Sequence, residues 1–136
     1  MLAYRHAFHA GNHADVLKHV VLVLVLRHLA GKEKGFRFVD THAGAGGYSL
    51  RGRYARRHDE HAGGIGALWT RDDLPAALAD YVELVRAFNP DGRLAQYPGS
   101  PSLALMLLRA QDELRAFELH PTEEKILRAT LAGQRR

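Results

Sequence analysis

The sequence predicts an α/β fold built on two adjacent parallel strands, with a helical segment inserted between them. The apolar run Phe36–Val39 ends in an acid and breaks into the glycine-rich stretch 40–47, the pattern of a buried strand that enters a tight turn. A second run, Leu114–Phe117, also ends in an acid, Glu118. The 73 residues from Thr41 to Glu113 exceed a complete βαβ unit, which takes roughly 30 or more residues.

The glycine turn Gly44-Ala45-Gly46-Gly47 is typical of a nucleotide-type binding site at the carboxyl end of a strand. Glycine lets backbone N–H groups approach a ligand, and positive φ costs it little. A helix that opened just after the turn would add its unpaired N–H groups and its dipole. The spacing differs from the dinucleotide motif G-x-G-x-x-G, and a tight turn without a ligand explains it equally well.

Glu118 favours the interpretation that a ligand binds. In nucleotide-binding βαβ units an acid at the end of the second strand accepts hydrogen bonds from ribose hydroxyls, typically ~20 residues beyond the glycines. Here the gap is far longer, so either the acid is coincidental or a subdomain lies between the strands. We favour the insertion.

Composition limits the class of protein only loosely. With 136 residues, 46% apolar and 25% charged, the chain has the size and composition of one globular domain. A net charge of +4 permits a polyanionic partner without requiring one. Because there is no cysteine, disulfides and thiol–metal sites are excluded. The amino terminus lacks a signal peptide pattern and the seven-residue apolar run Val20–Leu26 is too short for a membrane span, so we expect a cytoplasmic protein without a membrane partner.

The remaining elements follow from capping and turn signals. Asn12 or His13 starts a helix that ends near Leu29, before Gly31, and that should be buried on most sides because its middle is apolar all round. The other predicted elements are a short helix from His61 to Trp69, a helix after Pro75 that ends at the turn Asn89-Pro90-Asp91-Gly92, a helix capped by Ser100 with Pro101 at its first position, and a last helix from Pro121 to Gly133.

Two segments carry candidate contacts with ligands. His6, His9 and His13 suggest a metal, but Gly11 and Asn12 disfavour a helical pair and no H-E-x-x-H motif is present, so we expect no metal site and local hydrogen bonds instead. The segment 48–61 is the densest basic stretch of the chain. It is a solvated loop by default, and a plausible RNA-binding surface because tyrosines are interleaved with its arginines, Arg51, Arg53, Arg56 and Arg57.

Four motifs resemble those of one family, the bacterial 23S ribosomal RNA adenine-N6 methyltransferases of the RlmJ family. They are Tyr4-Arg5-His6-x-Phe8-His9-Ala10-Gly11-Asn12-His13-Ala14-Asp15-Val16-Leu17-Lys18-His19, Asp40-Thr41-His42-Ala43-Gly44-Ala45-Gly46, Tyr97-Pro98-Gly99-Ser100-Pro101 and Glu118-Leu119-His120-Pro121. The similarity runs the length of the chain, and the first motif is the most specific.

The resemblance implies S-adenosylmethionine as methyl donor and a partial Rossmann-like methyltransferase fold with a helical insertion between the first and second strands. The methyltransferase domain would comprise residues 1–47 and 98–136, and the inserted subdomain residues 48–97. Tyr4 and His6 would face the target adenine. The residues expected at the donor are Lys18, His19, His42, Gly44, Gly46, Ser100 and Glu118. A surface lysine with no ligand is the commoner situation for Lys18.

The sequence departs from the family's pattern in one respect. Adenine-N6 methyltransferases carry a D/N-P-P-aromatic motif, and these 136 residues contain no Pro-Pro; Asn89-Pro90-Asp91 is no substitute, because it lacks the second proline and an aromatic residue. With only two strands predicted, the chain resembles the amino-terminal half of the enzyme. We therefore expect it to be truncated, to be inactive alone and to contain no catalytic residue. Such a fragment should either be poorly stable or self-associate through the unpaired edge of the first strand.

Two other function classes stay open. The first is a non-catalytic RNA- or nucleotide-binding fragment, which the missing motif suggests. The second is a dinucleotide-dependent oxidoreductase, which would rest only on a strand, glycines and a distant acid. Binding of S-adenosylhomocysteine and not NAD would exclude the oxidoreductase, and methyl transfer to ribosomal RNA would exclude the non-catalytic fragment.

Overall fold

The computed structural model describes residues 5–51 and 59–134. Within them the helices are α1 (His13–Ala30), α2 (Ile65–Leu68), α3 (Ala76–Ala87), α4 (Ser100–Leu107) and α5 (Pro121–Ala132). The strands are β1 (Arg37–Asp40), β2 (Gly47–Ser49), β3 (Gln96–Pro98) and β4 (Glu113–Ala116), and 3-10 turns cover His6–Phe8 and Glu60–Gly63. No helix in these two stretches is long and apolar enough to cross a bilayer.

The chain divides into two compact units. The first comprises Met1–Val21 and Tyr48–Tyr97, and the second comprises Leu22–Gly47 and Pro98–Arg136. The limits at Tyr48 and Tyr97 coincide with the predicted ends of the inserted segment. The first 21 residues, however, group with that segment and not with the predicted methyltransferase domain. Compactness does not identify which segment is an insertion, so the predicted domain assignment stays a prediction.

In the second unit, β1 and β4 form a parallel pair, which confirms the predicted α/β arrangement across the long gap. Phe38 lies opposite Leu114, and Asp40 opposite Ala116. The pairing continues past the strands, where the Phe117 N–H donates to the Asp40 carbonyl at 2.8 Å. Each strand is displaced by one residue from its predicted bounds.

The prediction that β1 is a buried strand is wrong. Val39 is 48% exposed, and Phe117, just after β4, is 57% exposed. In this unit α4 packs against both strands, and exposure alternates along them, so one face of the sheet is covered more than the other. A parallel sheet becomes fully buried only when layers cover both of its faces.

Arg109 and Asp112 join the start of β4 to the loop that precedes β1. The guanidinium of Arg109 donates to Asp112 and to the carbonyls of Ala30 and Lys34. Asp112 also accepts from the Phe36 N–H at 3.1 Å. The hydrogen bond from Arg109 in particular holds the pKa of the Asp112 carboxyl well below its usual range. This network holds the start of β4 next to the segment that leads into β1.

α1 is a helix, as its length predicted, but the expectation that it is buried on most sides is wrong. Its buried residues form one stripe, namely Asp15, His19, Val23 and Leu26. Four of its apolar side chains are instead 49–70% exposed, namely Leu17, Val21, Leu24 and Val25. Apolar composition all round a helix does not determine how many sides of it are covered.

The first unit contains features that the sequence did not predict. β2 pairs with β3, which adds a second two-stranded sheet. The predicted helix 61–69 is instead a 3-10 turn followed by the single turn of α2. The turn after α3 is confirmed. There, buried Asn89 donates to the Val85 and Gln96 carbonyls and accepts from the Ala95 and Gln96 N–H groups. Its amide is therefore fully used in structural hydrogen bonds.

Candidate functional site

The glycine turn of the second unit lies directly beyond β1. Gly44 and Gly46 have φ values of 65° and 82°, which L side chains rarely adopt. The Gly46 carbonyl accepts from the Gly99 N–H at 2.8 Å and from the Ser102 hydroxyl at 2.6 Å. β2 follows the turn, so no helix N-terminus immediately after it adds the unpaired N–H groups that a ligand would meet there.

Glu118 lies at this turn, although 74 residues separate it from Gly44 in the chain. One carboxylate oxygen accepts from the Gly44 N–H at 2.8 Å, and the other accepts from the His120 N–H at 2.9 Å. Each oxygen of an ionised carboxylate has a second lone pair. The side chain is therefore held in place and keeps acceptor capacity for hydroxyl donors.

Ser100 does not cap α4, which corrects the prediction from the sequence. Gly99 is the cap residue, and the Ser100 hydroxyl donates to Asp40. Hydrogen bonds to a carboxylate are stronger than those between neutral groups, so Asp40 is the better partner for the hydroxyl. The other oxygen of Asp40 accepts from the His42 N–H at 3.2 Å. Asp40 was not predicted as a site residue, although an acid at the end of a strand run is a signal for one.

Five of the predicted donor residues therefore gather at the carboxyl ends of β1 and β4. The His42 ring is exposed, and its Nδ1 lies 2.9 Å from the Thr41 hydroxyl. Backbone N–H groups, a hydroxyl and two carboxylates converge here, a combination that suits a polar ligand with hydroxyl groups. The five residues are His42, Gly44, Gly46, Ser100 and Glu118.

The other two predicted donor residues, Lys18 and His19, belong to the first unit. The Lys18 ammonium lies 3.1 Å from Asp15, and its side chain is 60% exposed. His19 is buried, and its Nδ1 lies 2.7 Å from the Tyr97 hydroxyl. Burial lowers the pKa of His19 to about 4, against the opposing effect of the Asp15 carboxylate. The imidazole is therefore neutral at physiological pH.

Two buried tyrosines extend the hydrogen-bonded contacts of His19. The Tyr97 hydroxyl lies 2.6 Å from that of Tyr81, and both side chains are fully buried. Burial raises the pKa of each phenol well above its usual value, so both stay protonated. The Tyr97 ring also stacks on His19, with 5.6 Å between ring centroids. These contacts hold the imidazole in one orientation.

Replacing Tyr97 by phenylalanine should destabilise the protein by about 1–3 kcal/mol, the cost of leaving a buried polar group without its partner. The change removes the hydroxyl that both His19 and Tyr81 use. Tyr81→Phe is the matched control, because it leaves the contact between His19 and Tyr97 intact. Urea unfolding of both variants measures the difference. Equal losses would contradict a bridging role for Tyr97.

His6 lies in the first unit with its Nε2 2.6 Å from Asp15, and its ring meets the Tyr48 ring edge-on at 5.3 Å. His9 pairs with Glu60 at 2.8 Å. The described parts of the chain contain no group of three or more histidine or acidic residues placed to hold a metal ion. His6 and His9 thus contact carboxylates of the protein itself.

Some predicted residues lie outside the described ones, namely Tyr4, Arg53, Arg56 and Arg57. Arg51 is described and exposed, and its N–H donates to the Ser49 hydroxyl at 3.3 Å. The expected RNA-binding role of this segment stays a prediction. Asp15 and Tyr97 belong to two of the motifs, but neither they nor Tyr81 were assigned a role at a ligand, because no motif records which side chains they contact.

Comparison with known proteins agrees with the motifs. Residues 33–136 match the family model described as "Ribosomal RNA large subunit methyltransferase D, RlmJ". The chain is 53% identical over 129 residues to ribosomal RNA large subunit methyltransferase J of Escherichia coli strain K12, covering 95% of this chain and 46% of that protein. The protein of the same name from Haemophilus influenzae is 50% identical over 129 residues, covering 94% of this chain and 46% of the relative.

A solved structure is also similar. The crystal structure of protein LPL1258 from Legionella pneumophila superposes with a TM-score of 0.80 at 39% sequence identity, over 87% of this chain and 43% of that one. The chain thus spans about half the length of the curated relatives it matches. The family match over most of the chain confirms the prediction from the motifs: the chain belongs to the RlmJ family of ribosomal RNA large subunit methyltransferases.

Proposed function

We propose that this chain is the donor-binding part of an enzyme that transfers a methyl group from S-adenosylmethionine to the N6 amine of an adenine in 23S ribosomal RNA. The names of the relatives support a methyltransferase that acts on large-subunit RNA. The observation that carries the donor assignment is the contact between Glu118 and the glycine turn. We further propose a Rossmann-like fold, in which such a turn and acid bind a nucleoside.

The residues of the second unit fit this donor. The glycines keep side chains away from the turn, so the backbone can approach the nucleoside. Glu118 would accept hydrogen bonds from both ribose hydroxyls, because each of its oxygens has used only one lone pair on a backbone N–H. Asp40 orients Ser100, whose hydroxyl retains acceptor capacity for the donor. In the first unit, Lys18 would pair with the methionine carboxylate, and His19 is the other donor-binding residue we propose there.

The chemistry proposed is direct in-line attack of the adenine amine on the methyl group. The protein would supply orientation and fixed dipoles, without a covalent intermediate. The adenine would leave its stack to reach the donor, with Tyr4 and His6 positioning it. The acid of the D-P-P-Y motif is not among these 136 residues, so we propose no catalytic residue here and expect the chain alone to be inactive.

The proposed partner is 23S ribosomal RNA, and the proposed location is therefore the cytoplasm, where bacterial ribosomes work. Self-association of the chain through β1 also stays a proposal. It is supported by the position of β1, which pairs with β4 alone among the described strands and carries exposed Val39, because an unpaired strand edge can pair with another chain.

A binding experiment tests the donor assignment. S-adenosylhomocysteine and NAD are titrated calorimetrically into a full-length protein that carries this sequence, and only the former should bind. Methyl transfer to unmodified 23S ribosomal RNA then separates the enzyme from the alternative, a non-catalytic RNA- or nucleotide-binding protein. Binding of NAD alone would overturn the proposal, and donor binding without transfer would favour the alternative.

Replacing Arg56 and Arg57 by alanine should weaken RNA binding and flatten its dependence on salt. Each phosphate contact contributes about 0.7–0.9 to the slope of log K against log salt, so losing two contacts lowers the slope by roughly 1.5. Donor affinity should not change. Filter binding from low to high salt provides the measurement, and Lys32→Ala with Lys34→Ala is a control of equal charge. Unchanged RNA affinity at low salt would make the stretch a solvated loop.

A further inference from the structure

We propose that Asp15 is a positioning residue that holds both His6 and Lys18, and so links the adenine side of the reaction to the donor side. The inference rests on the roles proposed above for those two residues. All three lie within the first unit. Asp15 lies within the first motif, and its contacts distinguish it from the residues around it.

Asp15 is a buried carboxylate that three hydrogen-bonding N–H groups contact. One oxygen accepts from His6 Nε2 at 2.6 Å and from the Gly11 N–H at 2.9 Å. The other oxygen lies 3.1 Å from the Lys18 ammonium. The Asp15 side chain is only 2% exposed, whereas that of Lys18 is 60% exposed. Asp15 therefore anchors the lysine from the protein side while the ammonium stays accessible to a ligand.

Asp15 is ionised. Burial acts to raise the pKa of its carboxyl, but the hydrogen bond and charge of His6 and the Gly11 N–H lower it more, so the net pKa lies well below the usual range. An ionised carboxylate can only accept hydrogen bonds. His6 must therefore carry a proton on Nε2, which leaves Nδ1 as the acceptor of the neutral ring. The edge contact with Tyr48 restricts the ring from a second direction.

Helix capping explains only part of this arrangement. Asn12 accepts from the Asp15 N–H at 2.9 Å while Asp15 accepts from Gly11, an exchange close to a capping box. Either a neutral amide or a carboxylate at position 15 would satisfy the Gly11 N–H. Only the carboxylate also attracts Lys18 and forces the proton of His6 onto Nε2.

The test compares Asp15→Asn with Asn12→Ala in a full-length protein that carries this sequence. Asp15→Asn keeps an acceptor for Gly11 but removes the charge, while Asn12→Ala removes the cap and leaves the charge. We expect Asp15→Asn to weaken donor binding and to lower kcat by about tenfold each, the loss that corresponds to one charge-assisted hydrogen bond. Asn12→Ala should lower thermal stability, with little change in donor binding or in kcat.

Double mutants separate linkage from a general loss of structure. In a Lys18→Met background, Asp15→Asn should cause no further loss of donor affinity, and in a His6→Ala background it should cause no further loss of kcat. Residues that act through one another are non-additive, whereas independent structural effects add. Additive losses in both backgrounds, or equal losses from Asn12→Ala, would overturn the inference.

A readout that needs no activity keeps this inference separate from the proposed function. Nitrogen NMR of labelled histidines, recorded where His6 is neutral, should show its proton on Nε2 in the wild type, and Asp15→Asn should lose that preference. A proton on Nδ1 in the wild type would overturn the positioning role even if the enzyme is active. A proton on Nε2 in a protein that neither binds the donor nor transfers methyl would support the contact and refute only the proposed function.

Discussion

Glu118→Gln is expected to weaken binding of S-adenosylmethionine on the order of tenfold or more, because a hydrogen bond to a charged group contributes ~1.5–3 kcal/mol. The ionised side chain accepts from the Gly44 and His120 N–H groups and retains lone pairs for two ribose hydroxyls. A glutamine would turn its NH2 group toward one of these donors. Calorimetric titration of a full-length protein that carries this sequence measures the change.

Glu113→Gln is the matched control, because Glu113 starts the same strand and pairs with Arg37 and Arg115 at the protein surface. This variant should bind the donor as the wild type does. RNA affinity without the donor should change little in either variant. Equal dissociation constants for the wild type and Glu118→Gln would leave Glu118 without a role at the donor.

Gly64→Ala is expected to destabilise the first unit by more than about 3 kcal/mol, above the range usual for overpacking. A Cβ on Gly64 would lie 2.0 Å from the Gly11 carbonyl oxygen and 2.5 Å from the Asn12 carbonyl carbon. Both are backbone atoms, so the chain itself would have to move. The hydrogen bond from the Ile65 N–H to Gly11, now 2.9 Å, would lengthen.

The neighbouring glycine provides the control for this prediction. A Cβ on Gly63 would meet nothing within 4 Å, so Gly63→Ala should change stability by no more than about 0.5 kcal/mol. Thermal unfolding followed by circular dichroism compares the two variants. If their midpoints agreed, Gly64 would not pack closely against Gly11 and Asn12.

The two parallel strands could be predicted because the relevant signals are local. Each is a short apolar run with an acid and a turn directly after it, and the carboxyl ends of parallel strands share one edge of the sheet. The strands β2 and β3 were missed because three residues each are too few to show periodicity. The role of Ser100 was misassigned because its actual partner, Asp40, is 60 residues away.

The family, the parallel strand pair and the five donor candidates at the edge of that pair could all be predicted from residue types and their local order, because motifs record chemistry that depends on both. Three features could be read only from the folded chain: which sides of α1 are covered, the use of the Asn89 amide by backbone groups, and the contacts of Asp15 with both His6 and Lys18. Such contacts depend on side chains that pack across many residues of chain, and no spacing rule encodes them.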